Sequence, residues 1–274
     1  GRLALPPIIL TGGYTNTGRL PGENVDFIDI GINLTKLREG KSTQAYMEEL
    51  MEAACPAPGA CGMMGTANSM SLMVETIGMS LPGNTTTSAR SPELLTLAKE
   101  AGRQVLKLWE QGITARKIIT NESVTNAIKV CMAVGGSANT VIHIPAAATE
   151  AELTIDCSDL YARASQEIPL LIGIRPNGPY TMRDFDEAGG LHALLKEVKD
   201  DLDISCLTVN GKTLGENIDA AVNKNPEVIR HRDNPLDTEG GLVLLKGNIA
   251  PEGTFVKKSA VPKELLHFRG KARV

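Results

Sequence analysis

The chain has 274 residues, of which 42% are hydrophobic and 22% charged, a composition typical of a globular protein. Its net charge of −4 and its 3% of aromatic residues argue against a nucleic-acid-binding surface, because such surfaces are basic and often stack bases on aromatic rings. No apolar run reaches the roughly 18 residues that a membrane-spanning helix needs. We therefore expect a cytoplasmic protein (organellar in a eukaryote) with no nucleic acid and no membrane as partner.

Short apolar runs alternate with helical patterns along residues 1–225, which predicts an α/β domain with a mostly buried sheet. Residues 18–31, which contain Pro21 and Gly22, are predicted to form a loop. The apolar runs predict strands at residues 5–10, 169–174 and 206–209. The periodic segments predict helices at residues 43–54, 63–79, 92–111, 121–134, 158–164, 182–188 and 191–199.

The pattern changes near residue 225. Residues 226–274 contain short apolar stretches separated by glycines and show no helical period. They predict the start of a second, β-rich and barrel-like domain that is incomplete at residue 274. Because a divided sheet exposes an edge and part of a core, we expect the residues after Asn234 to be poorly supported unless further chain or a partner covers them.

The segment from Cys55 to Gly62 contains two prolines and two glycines, so it predicts a rigid turn before the next helix. Backbone amides at a helix start lower the pKa of a thiol and favour bound anions. The spacing of the two cysteines is not that of a zinc site, and no histidine pattern supplies a base for Cys61. The residues alone leave Cys61 as either a functional thiolate or a buried thiol.

A second turn, at residues 135–140, combines two glycines with Ser137, Asn139 and Thr140. The glycines allow close backbone approach, and the polar side chains offer hydroxyl and amide groups to a carboxylate or phosphate. The same residues also fit an ordinary helix C-cap followed by a polar turn. Both interpretations stay open at this stage. No glycine-rich nucleotide motif with its acidic or lysine partner is present.

Taken together, these segments resemble the dihydroxy-acid dehydratase / 6-phosphogluconate dehydratase family, which includes the sugar-acid (aldonic acid) dehydratases. The similarity covers nearly the whole chain, in family order. It is carried by residues 7–13 (PIILTGG), 54–70 (ACPAPGACGMMGTANSM), 75–84 (ETIGMSLPGN), 133–143 (AVGGSANTVIH), 207–218 (LTVNGKTLGENI) and 233–261 (DNPLDTEGGLVLLKGNIAPEGTFVKKSAV).

The resemblance implies a hydro-lyase that converts a 2,3-dihydroxy carboxylate into a 2-keto acid, commonly as a homodimer. It implies an iron–sulfur cluster, [2Fe-2S] or [4Fe-4S], that takes up the leaving 3-hydroxyl, and Mg²⁺ that holds the carboxylate. It places a cluster cysteine, and hence an iron ligand, at Cys61. The substrate pocket that it implies is formed by Gly62, Thr66, Asn68, Ser137, Asn139 and Thr140.

The chain also departs from the family pattern. The family's other two cluster cysteines and its Asp-Lys magnesium pair lie upstream of the segment at residues 7–13. Its magnesium-binding glutamate and serine base lie beyond a strand that begins like residues 272–274. The chain therefore carries one of three cluster ligands and no catalytic base, so no catalytic residue is assigned. We expect the 274-residue chain alone to be inactive, because one thiolate does not hold a cluster.

Two substrate classes remain open. Gly65, residues 168–171 and Asn210 favour aldonic acids such as xylonate or arabinonate in sugar-acid metabolism. The motifs fit the 2,3-dihydroxy-3-methyl acids of branched-chain amino-acid biosynthesis equally well. A different class of function is a non-catalytic binding or assembly module that holds an anion at residues 135–140. A cysteine hydrolase built on Cys61 ranks last, since it lacks a base.

Overall fold

The computed structural model describes residues 5–271, and helices dominate them. The α-helices are Phe27–Arg38 (α1), Gln44–Ala54 (α2), Thr66–Thr76 (α3), Pro92–Glu110 (α4), Ala115–Ile118 (α5), Asn121–Ala133 (α6), Thr140–Glu150 (α7), Cys157–Glu167 (α8), Met182–Glu187 (α9), Gly190–Glu197 (α10) and Leu214–Ile218 (α11). Short 3₁₀ turns cover Asn84–Thr86, Lys199–Asp201, Lys258–Ala260 and Lys263–Leu265. The strands are Gly18–Leu20 (β1), Glu23–Val25 (β2), Val243–Leu245 (β3) and Thr254–Val256 (β4).

The mixed helix-and-sheet class is confirmed, but the strands form two antiparallel hairpins rather than one mostly buried sheet. Strand β1 pairs with β2, and β3 pairs with β4. The predicted strands at 169–174 and 206–209 are extended segments with isolated bridges. Residues 5–10 form no ladder, and Pro6 and Pro7 have no N–H to give one. The described part of 226–271 contains no closed barrel.

Most helix predictions are confirmed to within a few residues, because the side chains that cap these helices stand next to them in the sequence. Ser91 and Thr43 accept hydrogen bonds from first-turn amides of α4 and α2, at the predicted starts. Four helices were missed, namely α1, α7 and the short helices α5 and α11. The predicted loop at 18–31 is the β1–β2 hairpin followed by α1, whose N-cap Asp26 forms a capping box with Asp29. Helix α7 contains Pro145 in its interior, which hides a helical pattern.

The main core is built around α6, which packs against α3, α7 and α8. Val124, Ala127, Ile128 and Cys131 of this helix are all fully buried. Leu242 brings the C-terminal segment into the same core. Beyond it the described residues are exposed or half-buried: Phe255 still packs against this core, whereas Ile249 reaches 94% exposure. Among the described residues, no helix has both the length and the apolar character needed to cross a membrane.

Helices α1 and α2 and the first hairpin enclose a separate small core of Val25, Leu50 and Ala54. Arg175 forms ion pairs that link this unit to the rest of the structure. The guanidinium lies 3.0 Å from the Asp26 carboxylate and 2.6 Å from that of Asp29. Burial raises the pKa of Asp26. Because the ion pair is mostly shielded from water, its charges attract each other more strongly than those of an exposed pair.

Candidate functional site

Two turns that are far apart in sequence meet at one place. The first, residues 61–65, leads into α3, and the second, residues 135–139, joins α6 to α7. The Thr66 and Ser137 hydroxyls are hydrogen-bonded at 3.0 Å, and Asn139 Nδ2 donates to Thr66 Oγ1 at 2.7 Å. The Ser137 amide donates to Ser69 Oγ at 2.9 Å. Three residues proposed from sequence, Thr66, Ser137 and Asn139, therefore form one polar cluster.

Cys61 is a half-buried free thiol on the first turn. Asn68 Nδ2 donates to the carbonyl oxygens of Cys61 at 2.5 Å and of Met63 at 2.7 Å, and Asn68 itself is only 3% exposed. The Gly62 carbonyl accepts the Met182 amide at 2.8 Å. Asn68 and Gly62 thus fix the path of the backbone at Cys61, and the Asn68 amide group is occupied with this.

Thr140 lies beneath the second turn rather than at its surface. It is fully buried, and its hydroxyl contacts the Ser137 carbonyl at 2.8 Å and Cys131 Sγ at 3.3 Å. Burial raises the pKa of the Cys131 thiol to about 11, so this thiol stays protonated at neutral pH. Thr140 therefore supports the turn from below.

Lys257, which follows β4, was not identified from the sequence. Its Nζ donates to the Met64 carbonyl at 3.1 Å, so the C-terminal segment brings a cationic group to the first turn. Burial lowers the pKa of this amine to about 8. The neighbouring Lys258 instead pairs with Asp237 and Glu239 near the surface. The sequence shows only a pair of lysines after Phe255 and Val256, and this pattern does not reveal a contact with residue 64.

The start of α3 adds a further feature that favours anions. Its N-cap is Gly65, and no side chain caps the first-turn amides. The N-terminus of an 11-residue helix carries partial positive charge and unpaired N–H groups. With Lys257 nearby, this end of the site suits a carboxylate, while Thr66, Ser137 and Asn139 offer hydrogen bonds to hydroxyl groups.

Residues 5–271 contain no group of three or more His, Cys, Asp or Glu side chains arranged to hold a metal ion. Cys131 is fully buried beneath the second turn, Cys157 is buried at the start of α8, and Cys206 is half-buried elsewhere. A cluster is held by several thiolates or histidines, so Cys61 does not form such a site with the described residues alone. The same holds for Mg²⁺, which prefers carboxylate oxygens.

Replacing Asn68 with alanine is expected to raise the alkylation rate of Cys61 several-fold, because the turn loses two buried hydrogen bonds. The rate is measured by mass spectrometry of the Cys61 peptide after timed exposure to iodoacetamide at neutral pH. Thr66→Val serves as the matched control, since it removes a contact of the cluster without touching the Cys61 carbonyl. An unchanged Cys61 rate in the Asn68 variant would contradict this positioning role.

The comparisons with known proteins match this chain over its whole length. The dihydroxy-acid/6-phosphogluconate dehydratase N-terminal model matches residues 1–217, and the C-terminal model matches residues 227–274. Proteins named dihydroxy-acid dehydratase are 44% identical over 279 residues in Carboxydothermus hydrogenoformans and 41% over 278 residues in Methanothrix thermoacetophila. Each alignment covers 100% of this chain and 50% of the relative, so the chain spans about half the length of these relatives. The chain therefore belongs to the dihydroxy-acid/6-phosphogluconate dehydratase family.

Proposed function

We propose that this chain forms part of a hydro-lyase that dehydrates a 2,3-dihydroxy carboxylate to a 2-keto acid. In this reaction the substrate loses the C2 proton and the C3 hydroxyl as one molecule of water, and the resulting enol becomes the ketone. The observation that carries the proposal is the cluster of Thr66, Ser137 and Asn139 beside Cys61, at the uncapped start of α3. Family membership supports the reaction class.

We assign to these residues the binding and orientation of the substrate. The substrate carboxylate would lie at the α3 N-terminus near Lys257, where a helix end and an amine both favour negative charge. The substrate hydroxyls would exchange hydrogen bonds with Ser137 and Asn139. Cys61 would donate one thiolate to a cluster whose remaining ligands are not among the described residues. Such a cluster supplies a Lewis acid for the departing hydroxyl when bound.

Between the two substrate classes, the relatives favour the branched dihydroxy acids. Their names specify a dihydroxy acid, whereas an aldonic acid carries additional hydroxyl groups. We therefore propose 2,3-dihydroxyisovalerate as a better substrate than xylonate, which reverses the preference drawn from Gly65 and Asn210. A second candidate is a non-catalytic binding module that holds an anion at residues 135–140, and the contacts of Ser137 and Asn139 with Thr66 support it.

The test uses a chimera in which this chain replaces the aligned segment of the Carboxydothermus relative, which it matches at 44% identity. After anaerobic reconstitution we expect an iron–sulfur cluster and 2-keto acid formation, faster from 2,3-dihydroxyisovalerate than from xylonate. The 274-residue chain alone is expected to give neither cluster nor product. The unmodified relative is the positive control.

Each alternative outcome has its own meaning. Faster turnover of xylonate would restore the sugar-acid assignment. A folded chimera that binds 2,3-dihydroxyisovalerate without turnover would favour the binding module. Cluster assembly and turnover by the 274-residue chain alone would mean that its own residues complete the site, which contradicts our description of Cys61 as the one thiolate that they supply.

A further inference from the structure

Residues 175–177 lie between the two turns of the candidate site and contact both of them. The Arg175 carbonyl oxygen accepts the Met64 amide of the first turn at 2.7 Å. Asn177 Nδ2 donates to the carbonyl oxygen of Gly135, in the second turn, at 2.9 Å. One short segment therefore connects the backbones of two turns that are far apart in sequence.

The C-terminal segment reaches the same two places after β4. Lys257 Nζ donates to the Met64 carbonyl at 3.1 Å, so both backbone polar groups of Met64 are bound by residues outside the first turn. Two residues further on, Ser259 Oγ donates to Asn177 Oδ1 at 2.9 Å. The Ser259 hydroxyl thus joins the C-terminal segment to the side chain that holds the second turn.

The backbone is closely packed at the start of the second turn. A Cβ atom on Gly135 would lie 2.4 Å from Asn177 Nδ2, and a Cβ atom on Gly241 would lie 2.2 Å from Gly135 Cα. Gly135 also has a φ of +57°, in the left-handed region that favours glycine. Because the second turn, Asn177 and the C-terminal segment touch here without spare room, a shift of one displaces the others.

The side chain of Asn177 uses both ends of its amide group. Nδ2 donates to the Val134 carbonyl at 3.2 Å as well as to that of Gly135, and Oδ1 accepts from Ser259. The opposite orientation of the amide would place Oδ1 against two carbonyl oxygens, so only the observed one satisfies these partners. Asn177 is therefore matched to a position between two acceptors and one donor.

We propose that Asn177 is a positioning residue that sets the distance between the two ends of the substrate site. At one end, the second turn carries Ser137 and Asn139, which we assign to the substrate hydroxyls. At the other end lies Lys257, which we assign to the carboxylate, and the Ser259–Asn177 hydrogen bond fixes its place relative to the second turn. This role rests on the proposed function, because it concerns the spacing of groups that bind the substrate.

A fixed spacing affects binding more than chemistry. A site whose two ends are held at one distance binds a matching carboxylate and hydroxyl without first ordering its own loops. Breaking the Ser259–Asn177 bond leaves every binding group in place but lets the spacing vary, so KM rises while kcat is kept. The side-chain hydrogen bonds of Asn177 and Ser259 go to residues other than Cys61, so the iron content is kept as well.

The first test is Ser259→Ala in the reconstituted chimera, which removes one hydroxyl and leaves the bonds from Asn177 to the second turn. We expect the KM for 2,3-dihydroxyisovalerate to rise about fivefold, the value of one neutral hydrogen bond, with kcat and iron content changed by less than about twofold. Ser259→Thr keeps the hydroxyl and should restore the KM. Thr254→Ala, at an exposed position of β4, is the matched control and should leave the KM unchanged.

The second test needs no turnover and uses the 274-residue chain. The chain is acetylated with the N-hydroxysulfosuccinimide ester of acetic acid, and mass spectrometry compares the rate at Lys257 with the rate at the exposed Lys246. Ser259→Ala and Asn177→Ala are each expected to raise the Lys257 rate several-fold, because the segment that carries this lysine loses its contact with the second turn. Thr254→Ala should leave the rate unchanged.

The outcomes separate this role from the proposed function. An unchanged Lys257 rate in both variants would overturn the positioning role, whether or not the chimera turns over. A faster Lys257 rate with an unchanged KM would also overturn it, as would a loss of iron in the Ser259→Ala chimera, which would mean that the contact only supports the fold. A chimera that gives no product refutes the proposed function instead, and the labelling rates still decide whether Asn177 holds Lys257 and the second turn together.

Discussion

Replacing Glu75 with alanine is expected to lower the free energy of unfolding by about 3–5 kcal/mol, the usual cost of removing one partner from a buried charged network. Glu75 is 4% exposed on α3. Its carboxylate accepts the Gly83 amide at 2.7 Å and the Thr85 amide and hydroxyl at 3.0 and 2.8 Å. His192 Nε2 on α10 lies 3.0 Å away. Alanine leaves all four polar groups without this acceptor.

The size of the effect follows from the position of Glu75 between three elements. Its carboxylate connects α3, the turn at residues 83–86 and α10. Its loss therefore leaves buried donors without an acceptor and loosens the contact between these elements. Chemical denaturation followed by circular dichroism measures the change. Glu75→Gln keeps the shape and one acceptor oxygen, and it is expected to lose less stability than the alanine variant.

Glu152→Ala provides a surface control, because its ion pair with Arg116 involves a carboxylate that is 74% exposed. We expect no measurable loss of stability from that substitution. A loss below about 1 kcal/mol in Glu75→Ala, no larger than that of an ordinary neutral hydrogen bond, would contradict the network described here.

The helices could be predicted from sequence where a cap and an amphipathic pattern agree locally. Helix α4 has both, with Ser91 and Pro92 at its start and an apolar stripe along its length. Helix α7 lacks both signals, since its N-cap Asn139 makes no capping hydrogen bond and Pro145 lies inside it. Helix α1 was hidden by the Pro21-Gly22 pair, which in fact turns the hairpin between β1 and β2.

The sheet could not be predicted because strand pairing depends on contacts far apart in sequence. The apolar run at residues 169–174 is buried, as expected, but it meets Ile229 and Asp237 only through isolated bridges. Burial there comes from packing against helices such as α6, and an apolar run gives no information about which element covers it. The pattern therefore predicted the buried positions correctly but did not indicate their hydrogen-bonding partners.

The sequence indicated the two turns of the candidate site but not the contacts that support them, because those contacts join residues far apart in the chain. The turns at 61–65 and 135–139 are visible as glycine-rich segments with polar residues, and the structure brings them together through Thr66 and Ser137. The supporting contacts were not visible. Lys257 reaches Met64 across 193 residues of sequence, and no local pattern specifies such a contact. Asn68 was expected in the pocket, and the structure shows that its amide group also holds the Cys61 turn, a role that the sequence did not indicate.

The substitution with the largest expected effect on activity is Cys61→Ser in the chimera. If Cys61 is a cluster ligand, serine removes the thiolate, and we expect iron content and 2-keto acid formation to fall by more than about 100-fold, since even groups that only orient a metal ligand are worth roughly 10- to 100-fold in affinity. Iron and acid-labile sulfide per chain and product formation are measured on the same reconstituted sample.

Cys55→Ser is the matched control, six residues away on the same turn-forming segment. Cys55 is exposed, and the resemblance assigns it no ligand role, so we expect its replacement to change turnover by about twofold or less. The pair of variants separates two explanations that Cys61→Ser alone does not. Equal losses of iron and turnover in both variants would mean that the segment tolerates no change. A loss in Cys61→Ser alone would mean that the enzyme requires the thiolate at that position. Retained iron and turnover in Cys61→Ser would remove Cys61 from the site.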